Sequence, residues 1–543
     1  MIRIADLSMA LGYTGADLRR AAAKKLRLAP EQLKSLALVK RSVDARRKSD
    51  VKFIVTVDVQ VAGSEDKLLA RLRDSRVRPA PDRSYKMPKA GALPLRPVVV
   101  GFGPAGMFAG LLLARAGLRP IVVERGGAVE DRQNAVQRFW QDRALDSECN
   151  VQFGEGGAGT FSDGKLNTGT KDERIFFVLQ TLAEHGAPEE ILFEAKPHIG
   201  TDRLPQTVRA IREEIRRLGG EVRFNTKMED LLVRDGAVRG VVLACGGVRE
   251  TRETLETRHV VLAIGHSARD TFEMLCAKAC IPMEPKPFSV GARIEHRAET
   301  IDRAQYGAFA GHPQLGAADY KLNVHLENGR GVYTFCMCPG GSVVGAASEA
   351  GGVVTNGMSA FARDGENSNA ALLVGVSPED FGAEGPLAGV AFQRAIERAA
   401  FEVGGGDYSA PCQRVGDFLE RRRTAGFGAV RPTYEPGVAP GDLRAVLPGF
   451  VCDSMAQGIR EMGKKLRGFD DPDALLTAPE TRSSSPVRIL RGENRECPTV
   501  RGLFPCGEGA GYAGGITSAA VDGLRCAEEI LRQSADFLPH PDR

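Results

Sequence analysis

The chain has 543 residues, 43% hydrophobic and 26% charged, the balance of a folded protein and not of a disordered or fibrous one. Its 11 cysteines lack framework spacing, which excludes a disulfide scaffold and reads as reduced thiols in a cytoplasmic setting. The net charge of +4 conceals an asymmetry: residues 1–90 carry 21 Lys and Arg against 10 Asp and Glu, so a basic head precedes a mildly acidic body.

The first residues, Met1 to Asp6, lack a basic-then-apolar secretion pattern. Residues 1–76 read as a small α/β module. A strand is expected near Ile2–Ile4 and a helix over Gly15–Leu28, with Leu18, Ala22 and Leu26 on one face. A hairpin over Ser35–Ala45 and Val51–Val61 follows, since Val51, Phe53, Val55, Val57, Val59 and Val61 alternate with other residues. A helix over Asp66–Arg73 closes the module. Residues 77–97 hold five prolines and read as a linker. The apolar run Pro97–Gly117 contains glycines and Arg115, so it predicts a buried strand, turn and helix; no membrane contact is expected.

Val98-Val99-Val100 predicts a buried strand, and Gly101-x-Gly103-x-x-Gly106, with Pro104 and Ala105 between, opens a helix. Gly101 suits the tight turn, Gly103 the approach of a pyrophosphate, and Gly106 the packing of helix on strand. The helix N-terminus supplies free N–H groups to phosphate. Glu124 ends the next strand, Ile121-Val122-Val123, where its carboxylate suits ribose hydroxyls and would repel a 2′-phosphate.

Three further segments resemble the glutathione-reductase-like, two-dinucleotide-binding flavoprotein superfamily. They are Val260–Gly265, with Ala263 and Gly265 in its second glycine segment; Gly502–Glu508, with Gly507 and Glu508 in its flavin-ribityl strand; and Gly509–Ile516, where Gly515 and Ile516 open a helix facing the flavin. The run Gly154–Leu166, together with Cys336-Met337-Cys338-Pro339-Gly340-Gly341, resembles a poorly characterised family of FAD-dependent dehydrogenases over essentially the whole chain. The resemblance implies FAD as cofactor. It implies that Gly156, Gly157, Thr160, Ser162 and Lys165 lie along the flavin, and that Arg125 and Arg132 serve the adenosine and pyrophosphate side. The superfamily layout also offers the Met228 backbone to adenine. Ile264 replaces the usual Thr, and the superfamily's Cys-x4-Cys is missing.

No second strand–Gly-x-Gly-x-x-Gly–helix unit occurs, so NAD(P)H, if used, binds without its own Rossmann domain. Cys336 and Cys338 stand two apart on an expected strand. They are either a substrate-facing pair at the flavin, the catalytic candidates, or small buried hydrophobes. Strand spacing of about 3.3 Å per residue puts them at or beyond the limit for a bridge between them. Cys276, Cys280 and Cys506 read as packing, and no metal site is expected. His266 reads as a cofactor neighbour or a solvated residue in preference to a catalytic group, and Lys286, Arg293 and His296 as a solvated face or a cleft wall.

The expected architecture is α/β: a Rossmann-type FAD-binding domain over 98–281 and 486–543, an inserted substrate or cap domain over 282–485, and a ferredoxin-like N-terminal module. The expected activity is hydride or electron transfer between FAD and a small-molecule substrate or an electron-transfer partner. Two other readings stand: a flavin-dependent enzyme acting on RNA docked by the head, and a non-catalytic flavin-bound redox sensor. The head's patches, Arg19-Arg20, Lys24-Lys25 and Arg46-Arg47-Lys48, lack interleaved aromatics for base stacking.

Overall fold

The computed structural model describes residues 1–246 and 251–535. The segments read as 98–281 and 486–543 therefore include residues outside the described ones, 247–250 and 536–543.

The head is a four-stranded antiparallel sheet. In chain order its strands are Ile2–Ala10, Leu33–Asp44, Lys52–Val61 and Val77–Pro79, and their spatial order is second, third, first, fourth. The alternating Phe53, Val55, Val57, Val59 and Val61 are buried on one face, as the period-two pattern dictates. The helix Gly15–Leu26 begins at a Thr14–Asp17 capping box and buries Leu18, Ala22, Ala23 and Leu26; it stops at Arg27, which turns left-handed, two residues short of the expected end. The opening residues of the proline-rich stretch are not linker: Val77 is buried, and Val77–Pro79 pairs with Ile2–Ile4.

The head is docked on both larger parts. Arg41 exchanges backbone hydrogen bonds with Phe193 and Ala195 and pairs with Glu194, and Gly12 donates to Gln314 at 2.6 Å.

The cofactor-binding part is a five-stranded parallel sheet ordered Leu503–Pro505, Val260–Leu262, Val98–Val100, Ile121–Val123, Glu221–Arg223. The valine-rich runs are buried on both faces, as parallel strands covered by helices are. The central strand feeds the helix Pro104–Arg115, and the C-terminal helix Ile516–Ala535 packs on that helix. A three-stranded antiparallel sheet, Thr226–Arg234, Ala237–Cys245 and Thr251–Glu256, stands beside it.

The chain leaves along Met283–Pro285 and returns along Val487–Ile489, and these two short strands pair antiparallel. Between them lies a seven-stranded sheet centred on Phe288–Arg297 and Asn367–Val376, with the helix Gly449–Lys465 on it. Among the described residues, no helix is long and apolar enough to cross a membrane.

Candidate functional site

The strand Val98–Val100 delivers the chain into Gly101 at φ +98°, a conformation that glycine adopts freely. A side chain there would meet the Ala263 carbonyl at 2.3 Å, and one at Gly106 would meet the Gly101 carbonyl at 1.9 Å. Both positions are therefore closed by backbone. Gly103 differs. It is the N-cap of the helix Pro104–Arg115, with Pro104 first in the helix, and a Cβ there would meet only the Gly157 Cα, at 3.7 Å. It borders open space at a helix end whose first amides, those of Ala105 and Gly106, have no intrahelical acceptor.

Residues 154–166 lie directly on this loop. Gly156 donates to the Phe102 carbonyl at 2.8 Å, and Gly157 abuts Gly103. Gly156 and Gly157 have φ of +84° and +64°. The Thr160 hydroxyl donates to the Glu155 carbonyl at 3.2 Å, and Ser162 donates to Gly159 and accepts from Gly164, so both hydroxyls serve the loop's own turns. Glu124 stitches the two loops together: its carboxylate accepts from the amides of Phe102, Gly126 and Gly154 at 2.8 to 3.0 Å.

The C-terminal segment closes the other side. The Gly507 amide donates to Asp522 at 2.7 Å, and Asp522 is held by Arg491 at 2.6 Å. A Cβ at Gly509 would meet the Gly265 carbonyl at 2.4 Å, one at Gly507 would meet Ala105, and Ile516 touches Gly159. The phosphate loop, the 154–166 loop and the start of the helix Ile516–Ala535 thus meet in one place. Glu508 stands there, half-buried. Burial pushes its carboxyl up to about 7, and Lys286 opposes the rise.

Cys336 and Cys338 come to this place from the strand Gly331–Cys338, but not as strand neighbours. The pairing with Asn367–Val376 slips between Phe335 and Cys338, and Cys336 has φ +44°. The bulge brings the Cys338 thiol under the Cys336 backbone, where it donates to the Cys336 carbonyl oxygen at 3.3 Å. The Cys338 hydrogen bond, then Lys165 and Arg293, hold Cys336 well below the ordinary thiol range despite burial, while Cys338 is pushed well above it.

Several basic residues are occupied by protein partners. Arg132, expected at the pyrophosphate, is fully buried and donates to the carbonyls of Asn150, Val151 and Glu155 at 2.7 to 2.9 Å, so it builds the loop instead. Arg125 forms ion pairs with Glu148 and Asp270 and lies over the Phe153 ring. Lys165 pairs with Asp163, which Arg363 also holds at 2.6 Å. Met228 is buried in the antiparallel sheet, its backbone opposite Leu243.

Arg293 and His296 do not form a solvated face. Arg293 is 0% exposed and bonds Glu480, Asn356 and the Cys336 carbonyl, while His296 is buried against the Phe469 carbonyl. His266 bonds Ser267, and burial with Arg482 and Arg269 nearby lowers it to about 3. Sequence reasoning missed Asp522, Arg491 and Arg363, whose partners lie 15 to 200 residues away and leave no local signal. It also missed that Cys506, Cys526 and Asp522 converge within 4.8 Å, although Arg491 already neutralises the carboxylate.

The donor set fits a dinucleotide flavin: an open glycine at a helix N-terminus for the pyrophosphate, and open space at Gly514 and Gly515 beside a second helix start. Residues 287–483 match the family model described as "FAD-dependent protein, C-terminal domain-like", and residues 1–60 match a domain of unknown function. The chain is similar to the flavin-dependent brominase Bmp2, at 12% identity, TM-score 0.37, and coverage of 81% of this chain and 79% of that one. A flavoprotein/dehydrogenase from Cytophaga hutchinsonii aligns at 12% identity and TM-score 0.35 over 82% and 78%. Likeness that loose says nothing of this chain's activity. A protein of Clostridium beijerinckii, described as uncharacterized, is 49% identical over 98% of this chain and 99% of its own length. The chain belongs to the family of that clostridial protein, and its cofactor is FAD.

Proposed function

We propose that this protein is an FAD-dependent oxidoreductase whose 282–485 domain caps the flavin and whose thiolate, Cys336, faces it. The observation that carries this reading is that the strand end bearing Cys336 is tied to the 154–166 loop: Arg363 pairs with Asp163 and abuts Gly340, and Arg293 donates to the Cys336 carbonyl at 2.9 Å. The strand order, with the first strand central, supports placement in the glutathione-reductase-like superfamily. The βαββαβ element order of the head supports a ferredoxin-like module.

Bound flavin supplies a two-electron carrier. The chain's residues divide the remaining work. Gly101, Gly103, Gly106 and the helix N-terminus at Pro104 hold the pyrophosphate. Glu508 and the Gly515–Ile516 helix start hold the ribityl and pyrimidine end, where the helix dipole favours negative charge. Arg293 fixes the Cys336 carbonyl and, with Lys165, favours the anionic form of the Cys336 sulfur.

The experiment is a pH titration of anaerobic holoenzyme, watching the long-wavelength flavin band that a neighbouring thiolate produces. Wild type is expected to show the band with a midpoint well below the ordinary thiol range, and Cys336→Ser to lose it. An unchanged band and unchanged thiol labelling in Cys336→Ser would place the sulfur elsewhere. Mixing with NADH and NADPH in the same cell identifies the reductant.

A further inference from the structure

We propose that His266 is an acceptor-only contact of FAD: its ring carries its proton on Nδ1 and takes the hydrogen bond of a ribityl hydroxyl on Nε2. The inference rests on the reading that the Glu508–Gly509 segment holds the ribityl chain, and it adds a second protein group at that end of the cofactor.

The protons around Ser267 fix the form of the ring. The Ser267 hydroxyl is buried and has three neighbours: Arg482 Nη1 at 3.0 Å, Gln152 Oε1 at 3.1 Å and His266 Nδ1 at 2.9 Å. A hydroxyl has one proton to give and two lone pairs to fill. Arg482 can only donate, so it takes one lone pair. Gln152 is oriented by its own amide nitrogen, which donates to the Ala346 carbonyl at 3.3 Å; its oxygen therefore points at Ser267 and takes the hydroxyl proton. The second lone pair is left for His266, and only an Nδ1–H fills it. Burial, then Arg482 and Arg269, disfavours a second proton on the ring. Nε2 is thus a bare lone pair.

The position of the ring points to its partner. His266 is half-buried and directly follows Gly265, which is exposed at φ +71° and where a Cβ would meet nothing within 4 Å. The Gly265 carbonyl lies against Gly509, the neighbour of Glu508 in the chain. Among the described residues Nε2 has no hydrogen-bond partner. A lone pair beside the Glu508–Gly509 segment needs an O–H or N–H donor, and the ribityl chain is the hydroxyl-bearing part of FAD assigned to this end. A ring so reluctant to be protonated is a poor base, so His266 orients the hydroxyl and does not remove its proton.

The test uses the full chain with isotope-labelled histidine, as apoprotein and reloaded with FAD, followed by nitrogen NMR. The His266 signals, assigned by their loss in His266→Gln, are expected to show a protonated Nδ1 and a bare Nε2 in both forms, with Nε2 moving upfield when FAD binds. Ser267→Ala removes the fixed acceptor and is expected to let the Nε2–H tautomer appear. By titration calorimetry His266→Phe is expected to bind FAD roughly three- to tenfold more weakly than wild type. His266→Gln, whose side-chain oxygen reaches the place of Nε2, is expected to recover most of that loss. ADP, which lacks the ribityl chain, is expected to bind wild type and His266→Phe alike. An Nε2–H tautomer in wild type, an Nε2 signal unmoved by FAD, or an equal loss of ADP affinity in His266→Phe overturns the proposal. An unmoved Nε2 together with weakened FAD binding in Glu508→Ala removes the role of His266 alone; an unmoved Nε2 with unchanged binding in Glu508→Ala removes the ribityl reading as well.

Discussion

Cys336 stands in the left-handed region within a strand, where an L-residue carries a cost of about 1–3 kcal/mol. Replacing it with glycine relieves that cost, less what glycine loses in chain entropy. Cys336→Gly is therefore expected to raise folding stability by about 1 kcal/mol while abolishing the thiolate band. A fall in the denaturation midpoint would mean that the sulfur's packing outweighs the backbone. Glu508 lends itself to a test of charge. A charge-assisted hydrogen bond to a ribityl hydroxyl contributes about 1.5–3 kcal/mol, so Glu508→Ala is expected to weaken FAD binding roughly ten- to a hundredfold by titration calorimetry. Its carboxyl, raised from 4.5 to about 7, stabilises the fold while protonated. That contribution is complete below the unfolded value and is lost as pH rises through the folded one. Glu508→Gln apoprotein is accordingly expected to lose less stability across this window than wild type.

The phosphate loop separates binding from folding at the scale of one element. A Cβ at Gly106 would lie 1.9 Å from a backbone oxygen, whereas one at Gly103 meets nothing nearer than 3.7 Å. Gly106→Ala is expected to cost about 1–3 kcal/mol of stability, because the helix must move off the turn. Gly103→Val is expected to keep the fold, by circular dichroism and melting, yet bind FAD at least about tenfold more weakly, a loss of roughly 1.4 kcal/mol, because its methyls occupy the pyrophosphate path. A Gly103→Val protein with full flavin occupancy would refute the assignment of this loop. The helix Ile516–Ala535 depends on the same closeness, since a Cβ at Gly523 would lie 2.0 Å from the Ala105 carbonyl.

Across the whole molecule, the cofactor-binding part and the inserted domain are joined by a buried charge cluster. Glu397 accepts from Arg269 and Arg482 at 2.8 to 3.1 Å, and all three side chains are at most 8% exposed. Burial raises the Glu397 carboxyl, but the two guanidiniums reverse this and hold it far below its ordinary 4.5. The depressed carboxyl contributes stability above 4.5 that is lost as pH falls below it. Glu397→Gln would leave Arg482 buried without a carboxylate partner and Arg269 with Glu349 alone. It is expected to cost about 3–5 kcal/mol near neutral pH and to flatten the acid limb of the stability curve, measured by urea denaturation. A variant that keeps the acid limb would shift the linkage to other carboxylates.

Much of this protein was legible from local rules. The valine runs of the parallel sheet, the alternation in Val51–Val61, the Thr14–Asp17 cap and the spacing of Gly101, Gly103 and Gly106 are written in neighbouring residues, because strand burial, helix capping and tight turns act over a few positions. What Arg132, Arg293 and Lys165 do was not legible, since their partners are carbonyls and carboxylates that only the folded chain brings near. The bulge at Cys336 belongs to the same class. The residues Phe335-Cys336-Met337-Cys338 read as an ordinary strand, and only the register against Asn367–Val376, with Arg293 drawing on the Cys336 carbonyl, brings the Cys338 thiol onto the Cys336 backbone. Sequence by itself determined the elements and the glycine turn between Val98–Val100 and Pro104–Arg115. Tertiary structure decided which charges are occupied and which sulfur is buried, because both depend on contacts between segments far apart in the chain.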